Sequence, residues 1–284
     1  MTSNRLFAAH KPMRRKSEIW LVAAMAILML ASASIWASGG VLWRYPKEIR
    51  PVLAMMDYPV TEGARYPGCW LSAKSDFANY APECRRGTTL IWGDSHAARL
   101  YTGFAGETAQ FTRDGCAPLI GYGDKVCAAS NARIAEEIAR IKPRRVVIFA
   151  AWLNHTDGRD LSERQSDAFR ATLRSIHAEE VVVLGPMPIF RPSLPELVYI
   201  DWFLLKELPD MMEAQGADYR GVNATLRRVA EESGARFISV YDLLCEKSAC
   251  ITHTPESRAS LLSWDYGHLT TAGARYVADL AALN

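Results

Sequence analysis

Thr88-Thr-Leu-Ile-Trp-Gly-Asp-Ser-His96 is the stretch on which the reading of this chain turns. Leu90, Ile91 and Trp92 make the short apolar run of a strand buried on both faces. Gly93-Asp94-Ser95 follows at once, and then Ala97, Leu100, Tyr101 and Phe104 recur at helical spacing. Ser95 therefore falls at a strand-to-helix junction, where the N–H groups of a helix N-terminus stabilise negative charge. Far downstream, Asp265-Tyr266-Gly267-His268 precedes another helical run. A serine hydroxyl becomes a nucleophile only when a base takes its proton. His268 is the candidate base, and Asp265 the group that would hold its ring in the useful tautomer. Of the six histidines, only His268 has an aspartate three residues before it.

On either side of this junction the chain alternates between apolar strands and helical segments. Strands are expected at 88–92, 109–112, 145–151, 181–184 and 236–240. Helices are expected after Ser95, over 131–141, from the capping box Ser162-Glu-Arg-Gln165 to about 177, over 220–232, and after a cap at Thr270. This pattern predicts an α/β fold: a three-layer α/β/α sandwich around a central parallel sheet, flavodoxin-like in kind. Ligands in such sheets bind beyond the carboxyl ends of the strands. Ser95, Gly115 and Trp152 each lie just past such an end, so they converge on one edge. The backbone N–H groups of Ser95 and Gly115 are candidate donors to an oxyanion. Trp92, Trp152 and Trp264 neighbour these residues, placed either to stack on sugar rings or to fill the sheet edge. The apolar insertion 193–214 reads as a core helix, a lid or a docking surface.

The N-terminal region has a different character. Residues 1–17 hold five basic residues and no acid, whereas the remainder carries 28 bases against 31 acids. A weakly acidic body argues against nucleic-acid binding. No charged residue occurs from Ile19 to Ala37, close to the ~20 residues that cross a bilayer. The basic flank places the N-terminus in the cytoplasm and everything after Trp43 outside, with Trp20, Trp36 and Trp43 at interfacial positions. A cleavable signal peptide is the alternative, but its apolar core is normally ~7–15 residues, and a retained anchor fits this longer run better. The organisation expected is a cytoplasmic tail (1–17), a single-pass membrane anchor (18–43), a juxtamembrane linker (44–86) and a catalytic domain on the far side of the membrane (87–284).

Six cysteines fall into three short-range couples, Cys69/Cys84, Cys116/Cys127 and Cys245/Cys250. Six cysteines allow 15 pairings, and proximity favours these three. Disulfides suit an oxidising compartment outside the cytoplasmic membrane. A metal site is the competing idea, but no CxxC pair or clustered histidine accompanies them. No cofactor is implied.

From Thr88 onward these residues resemble the SGNH/GDSL hydrolase superfamily. Gly93-Asp94-Ser95 is similar to its first block, Gly115 to its second and Asp265-Tyr-Gly-His268 to its last. The third block departs. Where the family has Gly-x-Asn, this chain has Ala150-Ala151-Trp152, with Asn154 two places late as a candidate oxyanion donor. Trp-Gly-Asp-Ser-His, the Gly-Cys-x-Pro at 115–118 and the third-block tryptophan look like the periplasmic SGNH domains fused to, or working beside, multi-spanning acyltransferase 3 membrane proteins. The resemblance implies a membrane-anchored O-acyltransferase that moves an acetyl or similar group onto a cell-envelope or secreted glycan through a Ser95 acyl-enzyme, with a separate membrane acyltransferase as acyl supplier. An esterase that lets water attack the same intermediate, and an inactive glycan-binding module, are the alternatives.

Overall fold

The computed structural model describes residues 13–38, 41–156, 160–214 and 219–284, with side chains from residue 18 onward. The basic tail expected at 1–17 thus lies outside the described residues, save the backbone of 13–17. Two compact units divide the chain, residues 1–50 and 51–284. In the first, helix α1 (Met13–Ala37) contains the apolar span Glu18–Ala37, long and apolar enough to cross a membrane. Its side chains from Ile19 to Trp36 are largely exposed.

The second unit is built on a six-stranded sheet. In chain order its strands are β1 (Trp70–Leu71), β2 (Thr89–Gly93), β3 (Thr108–Arg113), β4 (Arg145–Phe149), β5 (Glu180–Leu184) and β7 (Arg236–Ile238), every pair parallel, in the spatial order β1-β3-β2-β4-β5-β7. The intervening β6 (Met211–Glu213) joins β8 (Cys245–Glu246) and β9 (Ala249–Ile251) in a small antiparallel sheet. Helices α3 (Ser95–Tyr101), α4 (Lys125–Ile141), α5 (Glu163–Arg174), α6 (Leu194–Leu205), α7 (Tyr219–Glu232), α8 (Val240–Leu244) and α9 (Thr271–Leu280) follow the strands, after the short α2 (Arg50–Ala54).

The expected three-layer fold is present. Leu90, Trp92, Val146 and Ile148 share one core with Ile134 and Ile138 of α4, Phe169 and Leu173 of α5 and Val222, Leu226 and Val229 of α7. The alternate residues Ile91, Val147 and Phe149 are equally buried on the opposite face, where α3 packs with α9. Burial on both faces is why these strands read as continuous apolar runs rather than alternating ones. The capping boxes of Ser162 on α5 and Ser193 on α6, and the Thr270 cap of α9, form as side-chain bonds to the third amide of each helix.

Some boundaries moved. The 131–141 helix begins earlier, at Lys125, where Asp124 caps it by accepting from Cys127 N. The strand expected over 145–151 stops at Phe149, because Ala151 N turns to a carboxylate. Residues 70–71, within the stretch read as a linker, add the edge strand β1 to the main sheet. The 193–214 insertion is α6 followed by β6; Leu194, Val198 and Trp202 are core, while Phe203, Leu204 and Leu205 are exposed. All three disulfides form as paired by proximity, Cys69–Cys84, Cys116–Cys127 and Cys245–Cys250.

The chain runs from β2 to β3 on one side and then crosses from β3 to β4 on the other, so a crevice opens at this switch point, between the carboxyl ends of β2 and β4. Gly93 is the residue that brings the strands together there. A Cβ at this position would sit 1.7 Å from the carbonyl oxygen of Phe149, on the neighbouring strand. Gly93→Ala is therefore expected to force β2 and β4 apart and to lower stability by at least about 3 kcal/mol. In a thermal melt of the full chain this is a Tm lower by roughly 6–12 °C, or failure to fold. A melt shifted by less than a degree would show that the strands can separate freely.

Candidate active site

Asp94 caps α3 by accepting from the backbone N–H of His96 at 2.9 Å. Its other carboxylate oxygen accepts from Ala151 N, just past β4, and from His155 Nε2, both at 2.9 Å. One buried carboxylate thus ties the ends of β2 and β4 together. Burial by itself would raise its pKa, but the His155 hydrogen bond, the nearby imidazoles and the Ala151 N–H together hold it below the usual carboxylate value. It stays ionised, and His155 must carry its proton on Nε2 to serve it. Sequence reasoning missed His155. The only signal was its place three residues after Trp152, in the third block.

Ser95 opens α3 with its hydroxyl partly exposed. Its Oγ lies 2.8 Å from His268 Nε2, across a separation of 173 residues. His268 Nδ1 lies 2.7 Å from Asp265 Oδ2. An ionised carboxylate only accepts, so Nδ1 carries the ring proton and Nε2 is left to accept from the serine. Asp265 is fixed in turn, its Oδ1 accepting from the backbone N–H groups of Gly267 at 2.9 Å and His268 at 2.7 Å. Partial burial works against its charge, but the His268 hydrogen bond and charge with the two backbone donors outweigh it and lower its pKa.

Two contacts explain how the distant segments meet. Buried Arg99, one turn into α3 from Ser95, donates from Nε to the Leu269 carbonyl at 3.0 Å, beside His268. The same guanidinium reaches the Val60 carbonyl, the Tyr58 hydroxyl and Thr271 Oγ1. Gly103, after α3, lets the chain approach the backbone of Ala274 in α9 so closely that a Cβ would lie 2.3 Å from its carbonyl.

The His268 ring sits among other rings. Trp264 stacks on it at 5.5 Å with planes 17° apart, and Tyr58 stacks on Trp264 at 5.9 Å. Tyr266 meets it edge-on at 5.2 Å, and the His96 ring lies 4.5 Å away. Trp264 is thus the one tryptophan of the three that borders the base. The other two do not line a site. Trp92 is fully buried, with Nε1 donating to Asn131 Oδ1. Trp152 is 1% exposed, with Nε1 donating to the Leu184 carbonyl and its ring against Phe169. In β2 the side chain alternation sends Trp92 into the helical layer, and Trp152 turns inward as the chain leaves β4.

Gly115 follows the end of β3 at a φ of +63°, a conformation that suits glycine. Its loop is held by Asp114, which takes the Trp70 indole N–H at 2.6 Å and donates its own N–H to the Leu71 carbonyl, and by the Cys116–Cys127 bridge. Strand β1 therefore props the second-block loop. Asn154 is exposed, and its amide donates to the Tyr266 hydroxyl at 2.9 Å. Among the described residues there is no cluster of three or more His, Cys, Asp or Glu side chains suited to a metal ion.

This fold and the family it matches define a serine-type acyltransferase or esterase of the SGNH class. Residues 68–282 match the model of the SGNH domain that is fused to AT3 domains, and the chain belongs to that family. No curated protein sequence matches it. Among solved structures it is similar to the periplasmic domain of a lipopolysaccharide acetyltransferase from Salmonella ser. Paratyphi A, with 21% identity and a TM-score of 0.67 over 83% of this chain and 98% of that one. It is more distantly similar to a proposed arylesterase from Agrobacterium tumefaciens str. C58, with 13% identity and a TM-score of 0.41 over 69% and 96% of the two chains.

Proposed function

We propose that this protein is a membrane-anchored periplasmic O-acyltransferase that acetylates a cell-envelope or secreted glycan through an acyl-enzyme on Ser95. The observation that carries the chemistry is the continuous hydrogen-bonded path from Ser95 Oγ through His268 to Asp265. His268 takes the serine proton as Oγ attacks the acyl carbonyl of a donor, and returns it to the leaving group. The N–H groups of Ser95 and Gly115 serve the oxyanion. Asn154 would have to release Tyr266 to join them. In the second half-reaction a sugar hydroxyl replaces the leaving group, gives its proton to His268 and takes the acyl group from Ser95.

Transfer is favoured over hydrolysis by the family's fusion to AT3 domains and by the likeness to an acetyltransferase domain. In this reading the apolar span Glu18–Ala37 is a single-pass inner-membrane anchor, with the N-terminus cytoplasmic and the enzyme periplasmic, and the family's fusion to AT3 domains supports a multi-spanning acyltransferase as the source of the acyl group. Three disulfides fit that compartment.

The test uses the full chain in detergent with 4-nitrophenyl acetate as donor, with and without methyl glycosides. Release of nitrophenol with formation of sugar acetate by mass spectrometry is expected. Release of free acetate alone, at a rate indifferent to sugar, would instead make the protein an esterase. No release by the wild type would remove the acyl-enzyme.

A further inference from the structure

We propose that the open cleft beside the end of β4 is the saccharide acceptor subsite, an inference that rests on the acyl-transfer function proposed above. The cleft has a volume of about 600 Å³ and is lined by Tyr122, Asn154, His155, Asp160, Ser162 and Gln165. That volume lies within the ~300–1,000 Å³ of ordinary small-molecule sites. Between the apolar surfaces of Leu161 and the Tyr122 ring it presents amides, an imidazole, hydroxyls and a carboxylate. An acyl chain entering it would strip water from these groups and give nothing back. A pyranose offers hydroxyls to the exposed groups among them, such as Asn154 and Asp160, and a C–H face to Tyr122.

Two bonds set the cleft beside the reacting serine, although no atom of the triad lines it. His155 donates to Asp94, the residue before Ser95, and Asn154 donates to Tyr266, whose ring is 5.2 Å from that of His268. The walls are held in shape. Ser162 and Gln165 close on each other as the capping box of α5, and Gln165 Nε2 donates to the His155 carbonyl. Asp160 accepts from Thr225 at 3.0 Å, and the Arg164 guanidinium lies 5.7 Å over the Tyr122 ring.

A sugar seated here would present one hydroxyl to the Ser95 ester. Its oxygen forms the new ester bond as the bond to Ser95 Oγ breaks. Its proton passes to His268 Nε2 and from there to Oγ. The enzyme returns to its starting state, and water is not consumed.

Two measurements on the full chain in detergent test the inference. In the first, the ratio of sugar acetate to free acetate is read with 4-nitrophenyl acetate and methyl glucoside, galactoside, mannoside or rhamnoside, against hexanol as acceptor. Tyr122→Ala and Asp160→Asn are expected to lower that ratio at least tenfold and Tyr122→Phe less, with sugars preferred to hexanol in the wild type. Glu179→Ala, next to β5 at the opposite end of the sheet, serves as the control. A ratio within twofold of wild type in both Tyr122→Ala and Asp160→Asn, or hexanol accepting as well as a sugar, would overturn the subsite while leaving the acyl-enzyme standing. The second needs no turnover. Saturation-transfer NMR is expected to show the same glycosides bound to the Ser95→Ala protein and released from it when Tyr122→Ala is added. Binding unaffected by Tyr122→Ala overturns the subsite whether or not an acyl-enzyme forms.

Discussion

Ser95→Ala is expected to lower 4-nitrophenyl acetate turnover by the full chain by about four to six orders of magnitude, to the level that the oxyanion donors and binding alone sustain. The expectation follows from the 2.8 Å contact between Oγ and His268 Nε2. Without the hydroxyl there is nothing to acylate, and without the imidazole the hydroxyl keeps its proton. His268→Ala should therefore cost a similar factor, and the double variant hardly more than either, because the two groups act in one step. Asp265→Asn should cost less, about 10³–10⁴-fold, since the amide reverses the donor at Nδ1 and leaves the wrong tautomer facing the serine. Asp265 also receives two backbone N–H groups, so a melting curve must accompany its kinetics. If Ser95→Ala kept more than a tenth of wild-type turnover, the nucleophile would lie elsewhere.

The elements of this reading were unequally visible in the sequence. Parallel strands buried on both faces are short and apolar, so the runs 90–92, 146–149 and 181–184 stand out in any window. The hydrogen-bonded path from Ser95 through His268 to Asp265 was legible because each part lies in a short turn with its own signature, Gly-Asp-Ser before α3 and Asp-x-x-His before α9. Strand β1 was not, since two residues held by pairing with β3 carry no period. The tryptophans show where proximity in sequence misleads. Trp92 is three residues from the serine, yet the pleat of β2 sends it into the opposite layer. The residues that complete the site, His155 on Asp94 and Tyr58 behind Trp264, are joined to it only by tertiary contact. Local spacing had no means of pointing to Tyr58, and for His155 it offered only the place three residues after Trp152.

His96 follows Ser95 and is predicted to make the fold acid-sensitive well above the carboxylate range. Its ring is 2% exposed, and neither ring nitrogen has a hydrogen-bond partner. Phe149, Tyr266 and His268 surround it, and Gly267 lies against its Cε1. Burial first, and then the charge His268 would carry, push its pKa down to about 3, against the raising pull of Asp94 and Asp265. In the unfolded chain it returns to about 6.5. Between those values the unfolded state binds a proton that the folded state refuses, so stability is complete above pH 6.5 and falls as the solution is acidified. From pH 6.5 to 4.5 the loss is about 2 kcal/mol, approaching 1.36 kcal/mol per unit once the unfolded histidine is fully protonated, or a Tm lower by roughly 4–8 °C. The lowered pKa values of Asp94 and Asp265 remove their stability only below about pH 4, so this window separates the histidine from those two carboxylates. Melts of the full chain across it should show the slope in the wild type and a much flatter line in His96→Phe, with His96→Leu as the smaller replacement should the phenyl ring not fit. Parallel lines for wild type and both variants would mean that His96 takes up its proton in the folded protein. The same refusal has a catalytic consequence. In the proposed mechanism a neutral ring 4.5 Å from His268 adds no repulsion when His268 becomes an imidazolium, whereas a charged one would oppose every proton passed to it.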